Sequence, residues 1–254
     1  MDTIEKSAYF EEEFVDPYSS DAKDFLVKAE HLMRYVFAHD FLSRYINPKV
    51  IFDIASANGY GTRILSQNRK KTIGYDKTQL FLEEAMKSNN KSNIEYHLVD
   101  LDRIGLASYV RKNNVEKPDA IVSFETLEHL KHPEKLISDC FKLLTSGDYF
   151  ICSVPNAYYE PVIDGKPKNR FHKHLFKKED ILGMLEDNGF STIRVLGQPY
   201  TNIIVNYLRW STKPLDRLIM QSRGRFERWA RWIAYPSGKL NSFTYSFIII
   251  SSKK

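Results

Sequence analysis

The chain has 254 residues, a net charge of +5, 43% hydrophobic residues and 27% charged residues, which is typical of a soluble globular protein with one large or two small domains. No run of about 18 apolar residues occurs and the N-terminus lacks an apolar core, so the sequence predicts neither a transmembrane helix nor a secretory signal. The two cysteines, Cys140 and Cys152, lie in apolar runs without metal-ligand spacing. This indicates reduced core residues of a cytoplasmic protein.

The first predicted element is an amphipathic helix from Asp21 to about Tyr45, whose apolar residues recur at three- and four-residue steps. From residue 50 onward, short apolar runs alternate with helical patterns. Strands are predicted at 50–54, 72–75, 94–99, 120–124 and 149–154, and helices at 60–67, 78–87, 101–110 and 133–144. Such alternation predicts right-handed βαβ crossovers, and therefore a mostly parallel α/β sheet with helices on both faces.

After Pro155 the pattern is looser until a helix at 178–188, which ends at Gly189, and a strand at 192–196. A last strand is predicted at 242–251. We therefore predict one doubly wound, Rossmann-like domain with a seven-stranded sheet. Its parts are an N-terminal helical extension at 1–47, a core at 48–199, a basic aromatic helical insertion at 200–241, and the last strand and tail at 242–254.

The first strand leads directly into the small-residue loop Asp53–Gly61. Small side chains let a backbone approach a ligand, and the following helix offers unpaired N–H groups, but a tight turn without a ligand has the same composition. Two acidic residues favour the interpretation as a ligand-binding loop. Asp76, at the end of the second strand, is placed to accept hydrogen bonds from a ribose diol, with a helix N-cap as its alternative role. Asp100 follows the third strand.

These features occur in the order found in class I S-adenosylmethionine-dependent methyltransferases. The chain resembles that family over roughly residues 20–200: in the loop, in Gly74-Tyr75-Asp76, in Val99-Asp100-Leu101, in residues 121–130 and in Tyr149–Asn156. The resemblance implies S-adenosyl-L-methionine as cofactor. The cofactor-binding residues that it implies are Arg34, Asp53, Ala55, Ala57, Gly59, Asp76, Lys77, Asp100, Leu101, Phe124 and Glu125.

Within this set the resemblance assigns Asp76 to the ribose, Asp100 and Leu101 to the adenine, and Phe124 and Glu125 to the methionine side. It places Arg34 near the cofactor carboxylate, with a solvated helix face as the alternative. The family usually has glycine where this chain has Ala55 and Ala57. Ala55 is a mild change. At Ala57 a Cβ is added where the ligand approaches and a positive φ would be strained, so we expect weaker binding or a rearranged loop.

Methyl transfer to a hydroxyl requires an aligned nucleophile and removal of its proton. His129 and His172 are our candidate catalytic residues, because a histidine accepts a proton near neutrality, and a structural role is the alternative for each. His129 ends a Glu-x-x-Glu-His pattern. His172 lies in an Asn-Arg-Phe-His element that resembles one in sugar- and polysaccharide-associated relatives. From the sequence we assign no metal ligands.

The resemblance implies a small-molecule methyltransferase, and we expect a hydroxyl or amine of a sugar or surface-polysaccharide precursor as acceptor, such as a sugar nucleotide or lipid-linked sugar. The alternatives are a quinone- or lipid-type O-methyltransferase, an RNA methyltransferase and a non-catalytic binding module.

Residues 205–240 carry eight basic and two acidic residues, a net charge of +6, interleaved with aromatic residues. This segment is interpreted as a lid over an anionic substrate, as a site for an anionic membrane surface, as a nucleic-acid site, or as a solvated cover over the sheet. Membrane binding would make the cytoplasmic protein peripheral at the inner membrane face.

Overall fold

The computed structural model describes residues 15–19, 25–199, 222–238, 240 and 244–254. Its helices are α1 (Phe25–Tyr45), α2 (Tyr60–Leu65), α3 (Gln79–Ser88), α4 (Leu106–Lys112), α5 (Pro133–Leu143), α6 (Lys178–Asp187) and α7 (Arg223–Ala234). Its strands are β1 (Val50–Ile54), β2 (Lys71–Asp76), β3 (Ile94–Leu98), β4 (Ala120–Phe124), β5 (Tyr149–Pro155), β6 (Val162–Ile163), β7 (Lys166–Pro167), β8 (Phe190–Pro199) and β9 (Thr244–Lys253). The predicted helix start at Asp21 and much of the basic segment, 205–221 and 239, lie outside the described residues.

A seven-stranded sheet organises the molecule, with the strand order β3-β2-β1-β4-β5-β9-β8. Strands β1 to β5 are parallel to one another, whereas β9 runs antiparallel to both β5 and β8. The central strands β1 and β4 are buried at every residue, which explains their continuous apolar runs. The predicted mostly parallel sheet is confirmed. Because the strand order reverses between β1 and β4, a crevice forms beyond their carboxyl ends.

Helices cover both faces of this sheet. On one face the core contains α4, α5 and α6, together with the buried, unpaired thiols Cys140 and Cys152. On the other face it contains α1, α2 and α7. Adjacent residues of β1 contribute to opposite layers, since side chains alternate along a strand: Phe52 packs in the first and Ile51 in the second. The predicted N-terminal extension therefore forms part of one helical layer.

Three features differ from the sequence prediction. Helix α4 begins at Leu106 and not near Leu101, because the Asp100 carbonyl accepts hydrogen bonds from the following residues Arg103 and Ile104 in a turn. Strand β8 is longer than the predicted 192–196. The hairpin β6–β7 was not predicted, since its short strands have no alternating apolar pattern. Within the described ranges, no helix has both the length and the apolar character needed to cross a bilayer.

Candidate active site

A cavity of about 270 Å³ lies at the carboxyl ends of β1, β2 and β4. A smaller one of about 60 Å³ adjoins it near the ends of β2 and β3. Four residues line both, namely Ala55, Asp76, Glu125 and His129. Helix α1 contributes His31, Arg34 and Tyr35 to the wall of the larger cavity. This is the crevice in which doubly wound sheets bind ligands.

The loop after β1 has positive φ angles at three positions: 59° at Ala55, 45° at Ala57 and 75° at Gly59. A left-handed conformation costs an L-residue about 1–2 kcal/mol, so both alanines are strained; the sequence argument expected strain at Ala57 but not at Ala55. The loop is also tied to β2. The amide of Ser56 donates to the Tyr75 carbonyl at 3.0 Å, and the amide of Ala57 donates to the Asp76 carboxylate at 2.9 Å.

Gly59 and Gly61 serve the packing of the chain itself. A Cβ on Gly59 would collide with the side chain of Tyr96, and one on Gly61 would collide with the ring of Tyr35. The small residues that line the cavity are Ala55–Ala57. The sequence argument assigned ligand approach to all small residues of the loop, whereas the structure separates them into a cavity-facing group and a packing group.

Asp53 is fully buried and is not among the residues lining either cavity. Its carboxyl accepts hydrogen bonds from the Tyr35 hydroxyl at 3.0 Å and the Thr62 hydroxyl at 2.6 Å. Burial raises the pKa of Asp53 to about 7 despite these bonds. Its visible role is to attach α1 and α2 to β1, which positions the cavity wall.

Asp76 lines both cavities and is 8% exposed. Its two carboxylate oxygens accept the amides of Ala57 at 2.9 Å and Thr78 at 2.8 Å, and burial raises its pKa. Thr78 holds the N-cap position of α3, so Asp76 is not itself the N-cap residue. A carboxylate oxygen has a second lone pair, so each can still accept a ligand hydroxyl. Asp100, Leu101 and Lys77 line the smaller cavity.

Arg34 is 1% exposed, which overturns the alternative of a solvated helix face. Its Nε donates to Gln198 Oε1 at 2.7 Å, and its Nη2 lies 3.4 Å from Glu125 Oε2. Gln198 in turn donates to the carbonyls of Glu30 and Ala234, both at 2.8 Å. The remaining nitrogen, Nη1, is buried and has no partner among the described residues. The guanidinium is therefore held at the cavity wall with one donor group to spare.

Glu125 stands at the tip of β4 with a φ of 47°. Its Oε1 accepts the hydroxyls of Ser153 at 2.7 Å and Ser246 at 2.9 Å. Although burial opposes its ionisation, the Arg34 guanidinium and these hydroxyls hold the pKa of Glu125 below its usual value. Beside it, the Phe124 ring packs edge-on against Tyr35 at 5.0 Å. A fixed negative charge therefore lies beside the loop.

The two predicted catalytic histidines, His129 and His172, come together with ring centroids 4.8 Å apart. The Nδ1 of His129 lies 3.1 Å from the Phe171 carbonyl oxygen, and the Nδ1 of His172 lies 2.9 Å from the Glu160 carboxylate. Since both partners are acceptors, both Nδ1 atoms are assigned as donors. The Nε2 of each ring is then the basic atom. Both histidines line the larger cavity.

Glu128, which was not among the predicted site residues, completes this cluster. It is 1% exposed, and its carboxylate lies 3.9 Å from His129 Nε2. Burial and the nearby charge of Glu125 raise its pKa well above the usual value. The Glu-x-x-Glu-His pattern was the available signal for Glu128. No sequence signal pairs Glu160 with His172, because that contact depends on the fold of the connecting segment.

A sequence model of the methyltransferase domain matches residues 29–195. A probable S-adenosylmethionine-dependent methyltransferase of Mycolicibacterium smegmatis is 27% identical over 148 residues, which are 58% of this chain and 54% of that protein. The mitochondrial ubiquinone biosynthesis O-methyltransferase of Bos taurus is 26% identical over 201 residues, 72% of this chain and 51% of that protein. The chain thus spans about half the length of these two relatives.

Solved structures of similar fold include the magnesium protoporphyrin IX methyltransferase of Synechocystis PCC 6803 with bound S-adenosylhomocysteine. It has a TM-score of 0.62 at 16% identity, over 99% of this chain and 95% of that one. The N-methyltransferase NodS of Bradyrhizobium japonicum WM9, also in complex with S-adenosylhomocysteine, has a TM-score of 0.60 at 14% identity and covers 99% of both chains. At this identity the likeness is one of fold.

Proposed function

Since the chain belongs to the class I S-adenosylmethionine-dependent methyltransferases, we propose that it transfers a methyl group from S-adenosylmethionine to a hydroxyl of a small acceptor. One observation carries the proposal. A single cavity is bordered by the small-residue loop Ala55–Ala57 and by the cluster of Glu128, His129 and His172. A loop suited to the cofactor and a cluster of titratable side chains thus border the same space.

The residues at the cavity fit this cofactor. The spare donor of Arg34 suits a carboxylate, and the remaining lone pairs of Asp76 suit ribose hydroxyls. Asp100 and Leu101 line the smaller cavity, where they would flank the adenine. Asp53 and Gly59 would act indirectly, by holding the loop and its flanking helices in shape.

S-adenosylmethionine supplies an electrophilic methyl group on a positively charged sulfur. The chain's own contribution is position and charge. Glu125, fixed by two serine hydroxyls and Arg34, places a buried negative charge that complements a cation in the cavity. The cluster of Glu128, His129 and His172 favours the loss of the acceptor's hydroxyl proton as the new bond forms.

For the acceptor we propose a polyhydroxylated molecule, such as a sugar or surface-polysaccharide precursor. Polar side chains line the cavity beside the cluster, including Asn169 and Tyr245. These suit hydroxyl groups better than an apolar ring. A quinone-type acceptor is the second candidate, favoured by two relatives named ubiquinone biosynthesis O-methyltransferases, from Bos taurus and Maricaulis maris.

Two measurements test the proposed function. Calorimetry with S-adenosylhomocysteine should show binding of one molecule per chain, and no binding at millimolar concentration would reject the enzyme. Transfer of radiolabelled methyl is then measured to a panel of nucleotide sugars, a demethylated quinone and an aminosugar. We expect label in an alkali-stable ether on a sugar. Label on the quinone alone would favour the second candidate, and label on the amine alone would contradict O-methylation.

The outer face of α7 gives a further proposal, that the protein binds an anionic lipid surface. Phe226, Ala230 and Ala234 are buried against the rest of the molecule, whereas Trp232 is 83% exposed. The exposed Arg225 and Arg228 lie on the same side of the helix as Trp232, at steps of three and four residues. Arginines beside an exposed tryptophan suit the headgroup region of an anionic membrane.

A further inference from the structure

We propose that Glu128, His129 and His172 form a binding site for a divalent first-row transition metal ion, such as Mn²⁺ or Zn²⁺, on the acceptor side of the cavity. Binding of the ion depends on these three side chains alone. Its role in the reaction, which is to hold and acidify the acceptor hydroxyl, rests on the proposed methyltransferase function.

The three side chains are close enough to share one ion. Each offers one ligand atom, and these atoms lie within 4.8 Å of one another. Ligand atoms about 2.1 Å from a common ion are at most about 4.2 Å apart, so side-chain shifts of less than ~1 Å would complete the geometry. All three line the larger cavity, so an ion among them would face the space available to an acceptor.

The state of Glu128 is an independent observation that points to a ligand. It is 1% exposed, and neither carboxylate oxygen has a hydrogen-bond partner among the described residues. An unpaired carboxyl group buried in this way is destabilising by roughly 1–3 kcal/mol or more. Packing gives no reason for a carboxyl group here, since an apolar side chain of similar size would avoid that penalty. A bound cation would supply the missing partner.

The histidines have the support that metal ligands usually have. A metal-bound histidine commonly donates its other ring N–H to a carbonyl or carboxylate, which fixes its tautomer and orientation. The Nδ1 of His129 faces the Phe171 carbonyl oxygen at 3.1 Å, and the Nδ1 of His172 faces the Glu160 carboxylate at 2.9 Å. Both rings are thus assigned to present Nε2 as the ligand atom.

The donor set selects the ion. Two imidazoles and one carboxylate suit Mn²⁺, Fe²⁺ or Zn²⁺ better than Mg²⁺ or Ca²⁺, which prefer oxygen ligands. Three protein ligands leave coordination positions for a substrate. A hydroxyl in such a position ionises at a lower pH. Its proton passes to water, and its oxygen bonds to the methyl carbon as the carbon–sulfur bond breaks. The histidines are ligands in this scheme, and the cation promotes proton loss.

The test measures metal binding directly on the full chain after removal of metals with EDTA. Calorimetry with MnCl₂ and with ZnCl₂, and electron paramagnetic resonance of Mn²⁺, should show one ion per chain in the presence of S-adenosylhomocysteine. Glu128→Gln and His172→Ala should abolish this binding. Glu160→Gln, which removes the carboxylate that supports His172, should weaken it by about 10–100-fold. His132→Ala is the matched control, because His132 pairs with Glu134 on the surface at 3.2 Å, and should have no effect.

Binding of S-adenosylhomocysteine, measured on the same samples, separates the two proposals. If the chain binds this product but neither metal ion, or if Glu128→Gln and His172→Ala bind metal as well as the parent, the metal site is wrong and the proposed function stands. If metal binding is lost in those variants while the product never binds, the metal site stands and the proposed function fails. Glu128→Leu should also raise the melting temperature of the metal-free chain, because it replaces an unpaired buried carboxyl group with an apolar side chain. If His172→Ala does not fold, Glu160→Gln and Glu128→Gln decide the question.

Discussion

At the scale of single residues, the loop after β1 combines strain with precise support. Ala55 and Ala57 both adopt positive φ angles, which glycine would adopt without strain. The amide of Ala57 nevertheless donates to Asp76, which lines both cavities. The same carboxylate that we propose for ribose binding therefore holds Ala57 in its strained conformation.

Replacing Ala57 by glycine should relieve this strain. We expect Ala57→Gly to raise the free energy of unfolding by about 1 kcal/mol, the penalty of a left-handed alanine. Ala107→Gly, in the helical conformation of α4, is the matched control and should lower it by about 0.5–1 kcal/mol. Urea denaturation of both variants measures the difference. A loss of stability in both would show that the φ of Ala57 stores no strain.

Asp76 gives the second prediction at this scale. In Asp76→Asn one acceptor oxygen becomes an NH₂ group, so a hydrogen bond to a charged acceptor is lost, worth about 1.5–3 kcal/mol. We expect the affinity for S-adenosylhomocysteine to fall by about 10–100-fold in calorimetry. Asp148→Asn should leave the affinity unchanged, because its carboxylate accepts bonds from Thr145 and does not line either cavity. Equal affinities for the parent chain and Asp76→Asn would contradict the proposed ribose contact.

At the scale of elements, α1 links the cavity to the rest of the fold. It supplies Arg34 and Tyr35 to the wall, and it packs on the sheet and on α7 in one core. The three- and four-residue apolar spacing predicted this helix. The same spacing did not reveal that Arg34 is buried, because the cover over its outer face comes from elements far along the chain, such as Gln198 of β8.

Helix α1 should also make stability depend on pH, through Glu30. Burial raises the pKa of Glu30 to about 7 from its usual 4.5. Between these values the folded chain holds a proton that the unfolded chain has lost, so this group's contribution to stability is full below 4.5 and is lost as the pH rises to 7. Glu30→Gln removes the effect. The substitution should raise the free energy of unfolding by at most about 3 kcal/mol at about pH 8 and change it little at about pH 4.5.

Thermal or urea denaturation at the two pH values measures this difference. The exposed Glu83→Gln on α3 is the control and should change stability by a similar small amount at both. If Glu30→Gln changes the free energy of unfolding equally at both pH values, Glu30 ionises in the folded protein as it does in the unfolded one. Other contacts would then offset the cost of burying its charge.

At the scale of the whole molecule, positive charge is concentrated in one segment of the sequence, whereas the candidate cavity lies at the carboxyl ends of β1, β2 and β4. The described part of that segment, α7, buries an apolar face against the core and exposes arginines beside Trp232. Juxtaposed basic residues each add about 1 kcal/mol to binding at an anionic membrane surface. This arrangement supports our proposal that the protein binds an anionic lipid surface.

Co-sedimentation with vesicles of phosphatidylcholine and phosphatidylserine tests this surface. We expect binding that weakens as salt is added, and a loss of at least about 30-fold in the double variant Arg225→Glu with Arg228→Glu. Lys166→Glu with Lys168→Glu makes the same change in net charge on another element and should have a smaller effect. Binding to neutral vesicles alone, or salt-sensitive binding of RNA without vesicle binding, would overturn the membrane proposal.

The sequence alone determined the order of elements, the sheet type, the family and the loop after β1, because those features depend on local periodicity and on short contiguous motifs. It also directed attention to His129 and His172. Only the tertiary structure decided how these parts act. It separated the packing glycines from the cavity-facing alanines, assigned Asp53 to internal hydrogen bonds and placed Glu128 beside the two histidines. Those outcomes depend on contacts between residues far apart in the chain, and local pattern carries no information about such contacts.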